Sequence, residues 1–167
     1  MTARSGSAGN TRQRRLVVTT ERTRPPLVFQ SRVGAPPDVV FDAFFREPNR
    51  WLCRDGSFEP RPGGRLRLCW PDGCVEGRFV QFEPPGTGRF SWRFEGDAMP
   101  ETMVVVTTAS SERDGRPATE LEVEHYGFGV GPDWDMLYVG AARAWSAYLK
   151  NLRAVLEAGL DLREPDE

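Results

Sequence analysis

Apolar and polar residues alternate along much of this chain, and the alternation predicts a series of strands. Leu66, Leu68 and Trp70 recur at every second position after Arg65, as in a strand with one buried face. Similar runs, bounded by turn residues, predict about six strands in all: Leu27 to Val33, Arg65 to Trp70, Cys74 to Phe82, Arg89 to Glu95, Thr102 to Ser110 and Thr119 to Phe128.

Short segments rich in proline and glycine connect most of these strands. They are Pro71-Asp72-Gly73, Pro84-Pro85-Gly86-Thr87-Gly88 and Asp114-Gly115-Arg116-Pro117. Residues of this kind favour tight turns, so strands that are adjacent in sequence are expected to be antiparallel neighbours in space. The later strands therefore form a meander.

Helical spacing of apolar residues predicts one short helix and one long helix. The short helix follows the first strand, begins at Gly34-Ala35-Pro36-Pro37-Asp38 and ends before Pro48. The long helix begins at Gly131-Pro132-Asp133, ends at Gly159 and spans about 25 residues. Its apolar stripe consists of Tyr138, Ala141, Trp145, Leu149, Leu152 and Leu156. The pattern predicts an α+β fold in which a curved antiparallel sheet wraps around the long C-terminal helix.

The composition is that of one soluble domain with a basic N-terminal segment. The chain has 167 residues, of which 39% are hydrophobic, and a formal net charge of −2. Six arginines and one glutamate precede residue 27, so the rest of the chain is acidic and lacks the basic surface that nucleic acids require. No apolar run is long enough to span a membrane. We expect a disordered basic tail over residues 1–24, a domain over residues 25–160 and a flexible C-terminus over residues 161–167.

Cysteine usage indicates a reducing compartment. There are three cysteines and no CxxC pair, so we predict a cytoplasmic protein. Cys69 and Cys74 flank a turn and lie within reach of a disulfide, but free thiols are the expectation in the cytoplasm. A zinc site made of these two residues, Cys53 and His125 matches no known ligand spacing. We therefore expect buried, unreactive thiols, no bound metal and no organic cofactor.

The order of several short motifs resembles that of a known family. From the N terminus the motifs are Ala35-Pro36-Pro37-Asp38-Val39-Val40-Phe41-Asp42-Ala43-Phe44, Pro48 with Trp51, Pro60-Arg61-Pro62-Gly63-Gly64, Glu76-Gly77-Arg78-Phe79 before Pro84-Pro85, Leu121-Glu122-Val123-Glu124-His125 and the helix that contains Trp145. In this order they resemble the bacterial homologues of the heat-shock-protein-ninety ATPase activator. That family lies in the SRPBCC, or helix-grip, superfamily of START-like, birch-allergen-like and lipid-transfer domains. The resemblance covers residues 27–159 and implies a sheet that grips a C-terminal helix around an apolar cavity, without implying a single reaction.

Alternation also predicts which side chains face the long helix. Phe90, Trp92 and Phe94 share the inward face of their strand. On the preceding strand we expect Phe79 to face inward; in the alternative register Val80 and Phe82 would face inward instead. Such aromatic residues form plain core more often than a binding site, and the cavity itself is implied by the family resemblance. The expected cavity-lining residues are Trp51, Leu68, Trp70, Phe79, Phe90, Trp92, Val106, Val123, His125, Phe128, Tyr138 and Trp145.

His125 is the only histidine in the chain and the candidate acid or base, because its reference pKa lies near neutrality. Its inward position favours a neutral, hydrogen-bonded interior histidine instead. No serine or cysteine nucleophile with a supporting carboxylate is recognisable from spacing. Asp133 and Asp135 are expected to be cap and dipole partners of the long helix. Gly127-Phe128-Gly129-Val130-Gly131 is expected to form a flexible lip of the cavity, with Phe128 as a gate.

These observations favour a protein that binds a small hydrophobic molecule between sheet and helix. They favour a carrier over an enzyme. Two other functions stay open. One is an interaction protein that acts on a chaperone ATPase in the stress response, as the family resemblance implies. The other is a cyclase-like or hydrolase-like enzyme that uses His125. No nucleic-acid or membrane partner is expected, and a homodimer is compatible with the sequence.

Overall fold

The computed structural model describes residues 23–165, so most of the expected basic tail lies outside the described residues. The elements are, in chain order, β1 (Leu27–Val33), α1 (Pro37–Arg46), α2 (Pro48–Trp51), β2 (Asp55–Phe58), β3 (Arg65–Trp70), β4 (Gly73–Glu83), β5 (Thr87–Phe94), β6 (Thr102–Arg113), β7 (Arg116–Tyr126) and α3 (Pro132–Ala158). The bounds of β1 and β3 are those that the alternation predicts.

The seven strands of the described chain form one antiparallel sheet in the order β1-β7-β6-β5-β4-β3-β2. The meander from β2 to β7 confirms the prediction of antiparallel neighbours. β1 joins the sheet beside β7, where Leu27 lies opposite His125. The prediction of about six strands missed β2, because its four residues include only one large apolar side chain, Phe58.

The β6–β7 hairpin is longer than the alternation predicts. β6 continues to Arg113 and β7 begins at Arg116. Asp114 and Gly115 form a two-residue turn with positive φ angles of 54° and 73°. Such turns match the twist of the strands that they join, so pairing continues up to the turn. The sequence shows no alternation of apolar and polar residues here, because most residues at this end of the hairpin are exposed on both faces.

A buried tryptophan ties the first two helices together. The sequence predicts only that Pro48 ends α1, but Pro48 also begins α2, where a first-turn proline needs no partner for an N–H group. Trp51 in α2 is fully buried, and its Nε1–H donates a hydrogen bond to the carbonyl of Ala43 in α1 at 2.9 Å. This bond fixes the orientation of α2 against α1.

α3 is the predicted long helix and contains 27 residues. It ends at Gly159 as predicted, because this residue adopts a positive φ of 67° and donates its N–H to the carbonyl of Val155 at 3.0 Å. No side-chain hydrogen bond caps its first turn, so the capping role of Asp133 and Asp135 is wrong, but both carboxylates lie in the first turn, where they complement the helix dipole as predicted. Asp135 also forms an ion pair with Arg24.

Phenylalanine rings fill the middle of the space between the sheet and the helices. Phe45 of α1 lies at the centre, with neighbouring ring centroids between 4.7 Å and 6.1 Å away. The surrounding rings are Phe41, Phe44, Phe58, Phe79, Phe82 and Phe90. Gly88 makes room for Phe45, because a Cβ at position 88 would lie 2.5 Å from its ring. The centre of the fold is therefore closed.

The segment after α3 is held against α2, which differs from the flexible C-terminus that the sequence predicts. Asn151 of α3 is buried, accepts a hydrogen bond from the N–H of Leu162 at 2.6 Å and donates one to Asp161 at 3.1 Å. The guanidinium of Arg163 donates to the carbonyl of Cys53 at 2.8 Å. These bonds fix the first residues of the C-terminal segment in place.

Cys69 and Cys74 form a disulfide, so the prediction of free thiols is wrong for this pair. They lie directly opposite each other on β3 and β4, with Cα atoms 4.1 Å apart. Cys53 is a buried free thiol as predicted, and burial raises its pKa to about 11. Within residues 23–165 no group of three His, Cys, Asp or Glu side chains could hold a metal ion.

In the same part of the chain, none of the helices combines the length and apolar character that crossing a membrane requires.

Candidate functional site

An apolar cavity of about 370 Å³ lies at one end of the sheet. The β3–β4 turn, the connection from β5 to β6 and the connection from β7 to α3 contribute its rim, and the N-terminal half of α3 forms a wall. The cavity thus lies to one side of the phenylalanine cluster, between the sheet and the first turns of α3.

Small residues on α3 leave this space open. Gly140, Ala141 and Ala144 line the cavity, whereas Trp145 and Leu149 further along the helix are buried in the core. A Cβ added at Gly140 would meet no atom within 4 Å. Glycine and alanine carry no atom beyond Cβ, so they cannot fill the gap that the larger neighbouring side chains hold open between helix and sheet.

Four aromatic rings line the cavity as a closed circuit. Trp70 stacks on Tyr148 at 5.5 Å between ring centroids and lies 6.2 Å from Trp92. Trp92 lies 5.5 Å from Trp145, which lies 5.8 Å from Tyr148. Strands β3 and β5 supply two of the rings and α3 supplies the other two. Because each ring packs against two others, the circuit forms a well-supported apolar wall.

Two polar groups of this circuit make no hydrogen bond within the described residues: the hydroxyl of Tyr148 and the indole N–H of Trp92. Burial raises the pKa of the Tyr148 hydroxyl, with a smaller contribution from the nearby carboxylate of Asp72, so the hydroxyl stays protonated at neutral pH. Both groups can therefore bond to a molecule in the cavity.

Three charged side chains stand at the mouth of the cavity: Asp72, Arg93 and Asp97. Arg93 donates a hydrogen bond to Glu76 at 2.6 Å. Asp97 accepts one from the backbone N–H of Met99 at 2.9 Å. Among residues 23–165, neither aspartate forms an ion pair.

His125 lies at the edge of the cavity and is 1% exposed. Its Nδ1 accepts a hydrogen bond from the Nε1–H of Trp145 at 3.0 Å. An indole nitrogen can only donate, so Nδ1 carries no proton and the neutral ring is protonated on Nε2. That N–H donates to Thr102 Oγ1 at 2.6 Å, and the Thr102 hydroxyl donates to the carbonyl of Trp92 at 3.2 Å.

Burial and these bonds keep His125 neutral. Desolvation lowers its pKa to about 3, and its ring neighbours are Trp92, Phe128 and Trp145. Both ring nitrogens bond to protein groups, so neither is available to a molecule in the cavity while these bonds persist. The prediction of a neutral interior histidine is confirmed.

Phe128 closes the cavity beside His125 and is covered in turn by N-terminal residues. Its ring is 2% exposed and lies 4.6 Å from His125 and 5.2 Å from Tyr138. Arg24 donates its backbone N–H to the carbonyl of Phe128 at 2.9 Å. The guanidinium of Arg24 lies 5.1 Å from the centre of the Tyr138 ring and pairs with Asp135. Phe128 is therefore a packed wall, which differs from the gate on a flexible lip that the sequence predicts.

The structure brings only part of the predicted site together. Five of the twelve predicted residues line the cavity: Trp70, Trp92, His125, Phe128 and Trp145. Tyr138 lies in the layer behind Phe128. The other six belong to the closed core: Trp51, Leu68, Phe79, Phe90, Val106 and Val123. Their inward orientation is as predicted, with Phe79 buried and Val80 exposed, but α1 fills the space in front of them.

Sequence reasoning missed Tyr148, Gly140 and Ala144 as lining residues. A signal for them exists in the spacing of Leu137, Ala141, Ala144 and Tyr148, which recur at helical intervals on the face that lines the cavity. Small residues interrupt the row of bulky side chains on that face, and such an interruption indicates a gap beside the helix. No periodic signal marks the lining residues of the β5–β6 connection.

A curved antiparallel sheet around a long C-terminal helix defines the helix-grip class of domains. Residues 34–157 match the family described as Activator of Hsp90 ATPase homolog 1-like protein. The match extends over more than half of the chain, which therefore belongs to this family, as the order of the motifs predicts. No curated protein matches the sequence.

Solved structures share the fold at low sequence identity. CalU16 from Micromonospora echinospora is 24% identical, with a TM-score of 0.64, and the match covers 82% of this chain and 77% of CalU16. DynU16, a protein in the dynemicin biosynthetic locus, is 24% identical, with a TM-score of 0.66 over 83% of this chain and 49% of its own. The Aha1 dimer from Colwellia psychrerythraea is 18% identical, with a TM-score of 0.68 over 81% of this chain and 98% of its own.

Proposed function

We propose that this protein binds a small, largely apolar molecule in the cavity beside the N-terminal half of α3. The observation that carries the proposal is the circuit of Trp70, Trp92, Trp145 and Tyr148, which forms an aromatic wall of a cavity of about 370 Å³. Ligand pockets commonly measure roughly 300–1,000 Å³ and are lined by apolar and aromatic side chains with few polar groups. Removing the apolar surface of a ligand from water at such a wall is favourable.

Two polar groups of the circuit would orient the ligand. The Trp92 N–H can donate a hydrogen bond, and the Tyr148 hydroxyl can donate or accept one. A molecule with one or two polar atoms on an apolar frame satisfies these groups, whereas a pure hydrocarbon leaves them unpaired at a cost in free energy. The cavity therefore fits an amphipathic molecule better than an unsubstituted hydrocarbon.

The geometry supports binding more than catalysis. His125, the candidate acid or base, is neutral and uses both ring nitrogens within the protein. Cys53 is the free thiol of the described chain and lies outside the cavity lining. The groups that remain available to a ligand are a phenol, an indole N–H and two carboxylates, which suit recognition.

Filling the cavity tests the proposal. Ala144→Leu places a branched side chain at a lining position, and Ala147→Leu makes the same change at an exposed position of the same helix. We expect saturable binding of the neutral fluorophore N-phenylnaphthylamine by the wild type and by Ala147→Leu. Ala144→Leu should weaken this binding by about tenfold or more and keep a cooperative melting transition. Gly140→Leu is a second filling variant, because its Cβ has open space.

Two results would contradict the proposal. One is the absence of saturable binding by the wild type, and the other is equal binding by the wild type and both filling variants. Native mass spectrometry of protein purified from its own host provides an independent check, because a retained apolar ligand adds a defined mass.

Family membership supports a second candidate function, interaction with a chaperone ATPase of the Hsp90 type. The test is the ATP turnover of the Hsp90 homologue of the same host, measured with the wild type and with Ala144→Leu. We expect no stimulation. A reproducible increase that the filled variant retains would favour the interaction role, since that role does not need an open cavity.

The oligomeric state and the cellular location are part of the same proposal. The Aha1 structure from Colwellia psychrerythraea is a dimer, and sedimentation of this protein would show whether it too forms a homodimer. A cytoplasmic location is proposed, although a disulfide such as Cys69–Cys74 is uncommon in reducing compartments. Thiol alkylation in intact host cells would establish the redox state of this pair.

A further inference from the structure

The charges at the mouth of the cavity narrow the class of ligand. Asp72 and Asp97 line the cavity, and Arg93 is the basic lining residue of the described chain. Arg93 is bonded to Glu76 at 2.6 Å, and the charges of Glu101 and Asp97 also interact with it. One guanidinium therefore faces three carboxylates, and together with Asp72 the charges at the mouth of the cavity are net negative.

We propose that the cavity selects an apolar molecule that carries a protonated amine, an inference that rests on the proposed function. The faces of tryptophan and tyrosine rings attract cations, and tryptophan does so most strongly. A cation held among Trp70, Trp92, Trp145 and Tyr148 would meet both an aromatic wall and, at the mouth, the two aspartates. Each of these features favours a positive ligand group over a neutral one.

Asp72 and Tyr148 both line the cavity, and each has an oxygen that can accept a hydrogen bond. An ammonium group carries three donors and no acceptor. It can therefore donate to acceptor oxygens of the lining, while the apolar body of the ligand lies against Trp92 and Trp145.

An anionic ligand fits the same cavity poorly. Its carboxylate would face Asp72 and Asp97 and would have to compete with Glu76 for Arg93. Like charges at this range repel, and the repulsion increases as the surrounding water is removed. Fatty acids and other apolar acids are thus expected to be rejected.

Three probes with the same naphthyl ring and different charges distinguish the contribution of charge to binding from that of apolar contact. They are naphthylmethylamine, naphthylmethanol and naphthoic acid. Calorimetry at pH 7 and low salt gives the affinity of each for the full chain. We expect the amine to bind about tenfold more tightly than the alcohol and the acid to bind most weakly. Raising the salt concentration should reduce the preference for the amine, because the aspartates at the mouth are screened by salt.

Charge-neutralising variants test the role of the aspartates. Asp72→Asn and Asp97→Asn, alone and together, should lower the affinity for the amine more than the affinity for the alcohol, and so reduce the preference for the amine. Asp114→Asn is the matched control, since Asp114 lies in the turn at the far end of the β6–β7 hairpin and should change neither affinity. If a neutralised variant folds poorly, the salt dependence of the wild type still tests the inference.

The outcomes distinguish a failure of amine selection from a failure of the proposed binding function. Equal binding of amine and alcohol, or a preference for the acid, overturns the selection of amines and leaves the proposed cavity function intact. An amine preference that survives the double neutralisation and high salt overturns the role of Asp72 and Asp97. If none of the probes binds and N-phenylnaphthylamine does not bind either, the proposed function itself fails.

Discussion

The indole N–H of Trp145 donates a 3.0 Å hydrogen bond to Nδ1 of His125 and joins the long helix to the last strand of the meander. The bond determines which nitrogen of the histidine carries the proton, and it fixes the Trp145 ring as a wall of the cavity. His125 thus positions two residues that line the cavity: it bonds to the Trp145 ring directly and, through Thr102, to the backbone of Trp92.

The buried histidine is expected to make the protein sensitive to acid. The pKa of His125 is about 3 in the folded protein and about 6.5 in an unfolded chain. Between these values the unfolded state binds a proton that the folded state does not. Stabilisation is therefore complete above about pH 6.5 and is lost by about 1.4 kcal/mol per pH unit as the pH falls toward 3. Denaturant unfolding at several pH values measures this slope.

His125→Gln is the control for that slope. Other groups also destabilise the protein in acid, among them Asp161, whose pKa is held low chiefly by its hydrogen bond from Arg163. In the variant, only the histidine's contribution to the pH dependence of the unfolding free energy should disappear. Ligand affinity should change by about 1 kcal/mol, the value of one neutral hydrogen bond. An unchanged pH slope in the variant would show that His125 is not buried and neutral.

Trp145→Phe is expected to raise the pKa of His125. The substitution keeps an aromatic ring and removes the donor that stabilises the neutral imidazole. We expect a loss of about 1–2 kcal/mol in stability. Because the chain has one histidine, NMR titration assigns the pKa directly. Tyr148→Phe, which removes a hydroxyl without a partner in the described chain, should leave the pKa of His125 unchanged.

Two N-terminal truncations are expected to differ in thermal stability. Deletion of residues 1–22 keeps Arg24, whereas deletion of residues 1–25 removes its contacts with Phe128 and Tyr138. We expect the longer deletion to cost about 2 kcal/mol more, or roughly 4–8 °C in melting temperature. Arg24→Met in the full chain should reproduce part of the difference. Equal melting temperatures for the two truncations would show that the Arg24 contacts contribute nothing.

Counting thiols tests the disulfide. The native, non-reduced protein should react slowly with a thiol reagent, because Cys53 is buried and its pKa is about 11. Unfolding without reductant should expose one thiol, and unfolding with reductant should expose three. Three reactive thiols in the non-reduced unfolded protein would show that Cys69 and Cys74 are free.

The sequence by itself determined six of the seven strands of the described chain, the two main helices and the inward side of most strands. These features depend on residues that are near one another in the chain, since alternation and helical spacing record which face of each element is buried. The end of α3 at Gly159 and the inward position of Phe79 follow from such local rules. β2 was missed because four residues with one large apolar side chain leave no period to detect.

Only the tertiary structure decided where the cavity lies. Phe45 of α1 occupies the centre of the fold and half of the predicted lining belongs to the closed core, while Gly140 and Ala144 leave a gap in the N-terminal half of α3. Whether space is filled depends on how elements distant in sequence approach each other, which periodicity does not record. The disulfide and the Trp145–His125 bond are decided in the same way, because each needs two side chains to meet at bonding distance across different elements.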